Sequence, residues 1–136
     1  MTNVNKTNNF SVVAYITATV CGSTVWLGVS KITGMTEAWD SGLYYVYGLP
    51  IMITFSCALG FLSSQRPWRW PLTIVASQAL VAVVQNPLAN LLPLGLIVFG
   101  ILVVPNLPFA YLGAFLRKKH EKRRAESNNI PPVSKP

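Results

Sequence analysis

The chain has 136 residues, of which 51% are hydrophobic and 11% are charged. A typical soluble domain has about 25% charged residues, so this composition argues against an ordinary cytosolic enzyme. Three long segments contain no charged residue at all, and they run from 7 to 30, from 41 to 65 and from 70 to 116. Such gaps are typical of membrane-spanning segments.

The lengths of these segments predict the number of spans. A helix rises about 1.5 Å per residue, so crossing a hydrocarbon layer of about 30 Å takes about 20 apolar residues. The first two segments each hold one span, and the third, with 47 residues, holds two that are joined by a turn. The sequence therefore predicts an all-α integral membrane bundle of four transmembrane helices, at residues 10–30, 43–63, 71–85 and 93–116.

Two short tails flank this membrane domain of residues 10–116. Residues 1–9 form a polar N-terminal tail, and residues 117–136 form a basic C-terminal tail that is expected to be disordered. The first span is expected to be an uncleaved helix, because it is longer than the apolar part of a signal peptide and further spans follow it.

The basic residues predict the orientation of the chain, since Lys and Arg accumulate on the cytoplasmic side of a membrane. An even number of spans places both tails on one side. If that side is the cytoplasm, ten of the 11 Lys and Arg residues are inside. We therefore expect both termini in the cytoplasm. Aromatic residues typical of membrane interfaces agree with this topology, with Trp39, Tyr44, Tyr45 and Tyr47 outside and Trp68 and Trp70 inside.

Small residues at four-residue spacing predict where the first two helices pack, because helices in lipid approach closely through small side chains. The stripe in span 1 contains Ala14, Ala18 and Gly22. The stripe in span 2 contains Ser56 and Gly60. We expect these stripes to join spans 1 and 2 as an antiparallel hairpin.

The fourth span contains prolines, which leave helix carbonyls without their amide donors. Pro105 and Pro108 predict a kink or a break, with Asn106 beside the freed carbonyls. Gln78 and Gln85 lie on roughly one face of the third span and predict either hydrogen bonds to span 4 or a polar path. These five residues form a candidate intramembrane polar site, for which helix packing and a simple kink are the favoured interpretation.

The predicted spans contain no Asp, Glu, Lys, Arg or His. Proton-coupled transporters, ion pumps and voltage sensors depend on such residues inside the membrane, so these classes are excluded. Small multidrug exporters resemble the chain in size and span count, but they rely on a membrane-embedded glutamate that has no counterpart here.

The sequence also lacks the residues of an enzyme. The single histidine, His120, lies in a basic run without zinc-site or triad spacing, and Glu37 and Asp40 are expected to be a solvated surface pair. Cys21 and Cys57 lie in different spans and are expected to be packing residues. We therefore predict that the protein is not an enzyme and has no catalytic, cofactor-binding or metal-binding residues.

Six basic residues follow the fourth span directly. They are Arg117, Lys118, Lys119, Lys122, Arg123 and Arg124. Such a cluster either contacts anionic lipid headgroups or simply anchors the cytoplasmic end of the span, and the anchor is the favoured interpretation. No aromatic stacking residue accompanies them, so no nucleic-acid partner is expected.

The strings Pro67-Trp68-Arg69-Trp70-Pro71 and Asn90-Leu91-Leu92-Pro93-Leu94-Gly95 resemble those of small, uncharacterised multi-pass proteins of bacterial inner membranes. The resemblance implies an inner-membrane location and no particular activity.

The sequence therefore predicts a protein that acts by interaction, as an accessory, assembly or scaffolding component of a membrane complex. Its expected partners are the lipid bilayer and other membrane subunits or a second copy of itself. Two alternatives remain, a pore formed by oligomerisation, including a holin-like protein that the chain resembles in size and tail, and a carrier of a neutral small molecule.

Overall fold

The computed structural model describes residues 2–85 and 92–128, which form four α-helices and no strand. The all-α fold predicted from the sequence is therefore confirmed for these residues. The helices are α1 (Thr2–Thr33), α2 (Leu49–Leu62), α3 (Arg69–Gln85) and α4 (Leu92–Asn128).

The link between α1 and α2 is itself partly helical. Gly34 ends α1 in the left-handed conformation, with φ of 69° and its amide bonded to the carbonyl of Ser30 at 2.9 Å. A 3-10 turn at Ala38–Asp40 follows, and a π-helical turn at Tyr44–Gly48 leads directly into α2.

Among the described residues, three helical segments are long and apolar enough to cross a membrane: Ser11–Thr33, Tyr44–Leu62 and Leu94–Ser127. This finding agrees with a membrane protein. The third predicted span corresponds to α3, which has 17 residues. At about 1.5 Å per residue it is shorter than the hydrocarbon thickness, so length and composition alone do not establish it as a fourth span.

The expected pairing of the first two spans is wrong. Helix α1 packs mainly against α3, and α2 packs mainly against α4. A Cβ atom on Gly22 would overlap the backbone carbonyl of Ile74 in α3, and one on Gly60 would overlap that of Ala110 in α4. The other members of the two stripes are buried, and these are Ala14, Ala18 and Ser56. The small residues therefore lie in helix seams with other partners, because such a stripe allows close approach without selecting which helix approaches.

A second glycine closes the α2–α4 seam. A Cβ atom on Gly113 would overlap the carbonyl of Cys57 and would lie 2.8 Å from the amide nitrogen of Phe61. Gly60 and Gly113 thus bring the two helix backbones into direct contact from both sides.

Helix α4 is continuous through both of its prolines, so of the predicted kink or break the break is not found. The carbonyls of Ile101 and Val104 have no helical amide donor, because the residue four positions later is a proline in each case. Both residues are 62% exposed and lie on the outside of the bundle. On the inner side, the Asn106 side-chain amide donates to the Leu102 carbonyl at 2.8 Å and so adds a hydrogen bond within the same turn.

The same helix continues well past the membrane domain. It ends at Asn128, so the expected disorder from residue 117 onwards is wrong as far as that residue. Ion pairs one turn apart support the extension, from Arg117 to Glu121 at 2.7 Å and from Lys122 to Glu126 at 4.0 Å. The end of the predicted tail, residues 129–136, and most of the predicted outer turn, residues 86–91, lie outside the described residues.

The N-terminal polar tail is also helical, since α1 begins at Thr2. A helix that is already nucleated extends at little cost, which is why polar residues next to a span join it at both ends of the chain.

Candidate functional site

Gln78 of α3 is fully buried and uses both ends of its amide. The Tyr44 hydroxyl donates to Gln78 Oε1 at 2.7 Å, and Gln78 Nε2 donates to Met52 Sδ at 2.8 Å. The Tyr44 hydroxyl also lies 3.7 Å from the same sulfur. These contacts join α3 to the π-helical turn and to the first turn of α2, and both polar atoms of the Gln78 amide have a partner.

The π-helical turn positions Tyr44 for this contact. Tyr44 is fully buried, whereas Tyr45 and Tyr47 are exposed. The sequence predicts all three tyrosines at the outer interface, and the structure shows that Tyr44 faces the interior of the bundle. The extra residue in a π turn rotates the chain relative to a regular helix, and no hydrophobic periodicity in the sequence marks it.

Gln85, the last residue of α3, accepts a hydrogen bond of 2.9 Å from the indole Nε1 of Trp26 in α1. Trp26 is fully buried in an aromatic cluster that joins three parts of the molecule. Its ring centroid lies 5.2 Å from that of Trp39 in the loop and 5.6 Å from that of Phe99 in α4, and the last two are 4.9 Å apart. Such edge and tilted contacts are the favoured geometries of aromatic pairs.

The two glutamines therefore bind different helices from the one expected. The sequence predicted hydrogen bonds to the fourth span or a polar path, but Gln78 binds residues at the start of α2 and Gln85 binds α1. Sequence reasoning missed Tyr44, Met52 and Trp26 as their partners. Only the common depth of these residues, near the loop between α1 and α2, could have suggested them.

Asn106 of α4 lies apart from the glutamines. Within the described residues it forms no hydrogen bond with either of them, and its Oδ1 is buried without a partner. Ser56 Oγ of α2 is likewise buried without a partner. Each lies four residues before a seam residue, Gly60 for Ser56 and Ala110 for Asn106. These two residues thus place two buried oxygen atoms without hydrogen-bond partners in the α2–α4 seam.

The remaining members of the candidate site do not approach a common centre. Pro105 is half-buried and Pro108 is exposed. The five predicted residues therefore divide into a hydrogen-bonded amide and aromatic cluster on one side and a buried asparagine in the α2–α4 seam on the other.

The basic residues after the fourth span lie on the exposed end of α4. Arg117 differs from the others, since its Nη1 donates to the Leu62 carbonyl at the end of α2 while its Nε pairs with Glu121. It therefore caps a neighbouring helix and holds the base of the extension against the bundle. Beyond Arg117, the basic residues are exposed, and these are Lys118, Lys119, Lys122, Arg123 and Arg124.

No group of three or more His, Cys, Asp or Glu side chains that could hold a metal ion occurs within residues 2–85 and 92–128. Cys21 and Cys57 are free thiols.

Comparisons of the chain with protein-family models, with curated proteins and with solved structures give no match. Any function proposed for it therefore rests on its own residues.

Proposed function

We propose that the chain is a four-span protein of the bacterial inner membrane, with both termini in the cytoplasm, that works as an accessory, assembly or scaffolding component of a membrane complex. The observation that carries this role is that the amides of Gln78 and Gln85 hold parts of the bundle together. Gln78 and Asn106 are fully buried, and Gln78 has its partners within the chain.

Contacts at both ends of α3 support it as a fourth span. At one end the rings of Tyr15 and Trp70 lie 5.2 Å apart, and Arg69 Nη1 donates to the Tyr15 hydroxyl at 3.3 Å. At the other end Trp26 binds Gln85. Helix α3 thus follows α1 along much of its membrane-length segment, Ser11–Thr33. A short helix that is held in this way can cross with local thinning of the bilayer.

The placement of the amides favours this role over a pore. A pore formed by several copies needs polar side chains on the outside of each copy, where they can line a shared lumen. Gln78 and Asn106 are both inside the bundle. Gln85 is exposed at the end of α3, but its side-chain oxygen is bound to Trp26. Carriage of a small molecule through a broken fourth span is disfavoured too, since α4 is continuous.

The surface offered to a partner has two parts. The outside of the bundle is apolar and suits lipid and other membrane helices, and the end of α4 extends a basic helical arm beyond it. Such an arm can bind an acidic surface of a partner or anionic headgroups.

The test is to cross-link the tagged full chain in its native membrane and identify the subunits that remain bound after purification. The matched variant replaces Lys118, Lys119, Lys122, Arg123 and Arg124 with glutamine and keeps Arg117, which holds the arm to α2. We expect a defined set of foreign subunits that is weakened in the variant. A homo-oligomer of fixed stoichiometry without other proteins would contradict the proposal and favour a pore.

A further inference from the structure

A long apolar groove lies on the outside of the bundle between α1 and α2, because these two helices pack mainly against other helices. Its volume is about 640 Å³. Nine residues of α1, five of them Ile or Val, form one wall, and the π-helical turn and α2 form the other. The lining includes Thr17, Cys21, Thr24 and Gly28 from α1, and Ile51 and Phe55 from α2.

The groove is open where its lining is smallest. A Cβ atom on Gly28 would meet nothing within 4 Å. In contrast, a Cβ atom on Gly48 would lie 3.1 Å from Val25 Cγ1. Helix α1 and the π-helical turn before α2 therefore close on each other at this point, which gives the groove a floor.

The groove also has the length and the polarity of a lipid tail site. Its α1 wall runs from Ile16 to Ile32, about 24 Å at 1.5 Å per residue, within the membrane-length segment Ser11–Thr33. An apolar groove of this depth that faces lipid loses packing contacts if it stays empty, and a flexible acyl chain is the apolar body that can fill it.

A positive charge lies at one end of the same face. Lys31 does not line the groove itself, but it lies seven residues after Thr24 and three after Gly28, which places it on the same face of α1. Lys31 is exposed and forms no ion pair with the described residues. The two carboxylates of the following loop, Glu37 and Asp40, instead line a separate pocket together with Leu94 of α4.

We propose that this groove binds one acyl chain of an anionic phospholipid, drawn from the leaflet at the Lys31 end, with the lysine ammonium beside the lipid phosphate. The site rests on the proposed membrane location of the chain, but not on its orientation, on the number of spans or on any protein partner. Its failure is therefore distinguishable from failure of the accessory role.

The test uses the purified full chain in detergent, with equal amounts of phosphatidylglycerol and phosphatidylcholine that carry the same acyl chains, and counts retained lipids by native mass spectrometry. We expect one retained phosphatidylglycerol per chain. Gly28→Leu fills the groove and should lower retention at least about tenfold, the equivalent of displacing two acyl CH₂ groups. Lys31→Gln should lower the preference for phosphatidylglycerol about fivefold, as expected for one surface charge.

Gly100→Leu is the matched control, since Gly100 in α4 also has nothing within 4 Å of a Cβ atom and does not line the groove. It should retain lipid as the parent does. Thr24→Leu narrows the same groove from an exposed position and replaces Gly28→Leu if that variant fails to fold. Three results would each overturn the proposal: a parent chain without bound lipid, groove variants that retain as much lipid as the parent, or a homodimer that the groove variants abolish.

Discussion

The Tyr44 hydroxyl and the Gln78 amide form a fully buried hydrogen bond of 2.7 Å between the π-helical turn before α2 and the middle of α3. Both residues have apolar neighbours in the bundle core, Ile74 and Met52 among them. A polar pair in such surroundings gives the packing of α3 a fixed register, because a shift by one residue would leave both groups unsatisfied.

Tyr44→Phe should lower the free energy of unfolding by about 1 kcal/mol, because it leaves Gln78 Oε1 without its donor. The double variant Tyr44→Phe with Gln78→Leu should recover most of that loss, because Phe and Leu leave no buried polar group without a partner. Tyr45→Phe is the control, since that ring is half exposed. Denaturant unfolding in detergent micelles measures all of these variants. Equal stabilities of the parent and Tyr44→Phe would argue against the bond.

Gly113→Ala should destabilise the protein by about 1–3 kcal/mol, because its methyl group would overlap the α2 backbone at Cys57. Gly100→Ala in the same helix, where a Cβ atom meets nothing, should be neutral or stabilising by up to about 1 kcal/mol. Thermal unfolding followed by circular dichroism compares the two. A similar loss of stability in both variants would show that the effect comes from the helix backbone and not from the α2–α4 seam.

Arg117→Gln should loosen the end of α2, since it removes the donor to the Leu62 carbonyl and the partner of Glu121. Arg117 is partly exposed, so the loss should be no more than about 1 kcal/mol. Hydrogen exchange of the amides in the turn after Leu62 reports this change locally. Lys118→Gln, in an exposed neighbour, should leave the same amides unchanged.

Single cysteines placed in a background without Cys21 and Cys57 test whether α3 crosses the membrane. We expect Gln65→Cys and Ser127→Cys to be labelled from one side by an impermeant thiol reagent, and Thr36→Cys from the other. All three positions are exposed. If α3 does not cross, Ser127→Cys should instead be labelled together with Thr36→Cys, which would leave three spans.

The sequence by itself determined the helical class and the approximate positions of the helices, because membrane-length gaps between charges reflect a local requirement for apolar residues. The second and third predicted spans, 43–63 and 71–85, lie within two residues of the segment Tyr44–Leu62 and of α3. The helix ends next to polar residues were less predictable. Both α1 and α4 continue into the tails, because a formed helix propagates through residues that are neither Gly nor Pro.

Only the tertiary structure decided which helices pair and where the amides bind. All four helices offer apolar faces with small residues, so the stripe containing Gly22 suits α3 as well as α2. The π turn that directs Tyr44 inward leaves no periodic pattern in the sequence. The partner of Gln78 therefore depended on how that turn packs against α3, a contact between residues 34 positions apart that no local pattern encodes.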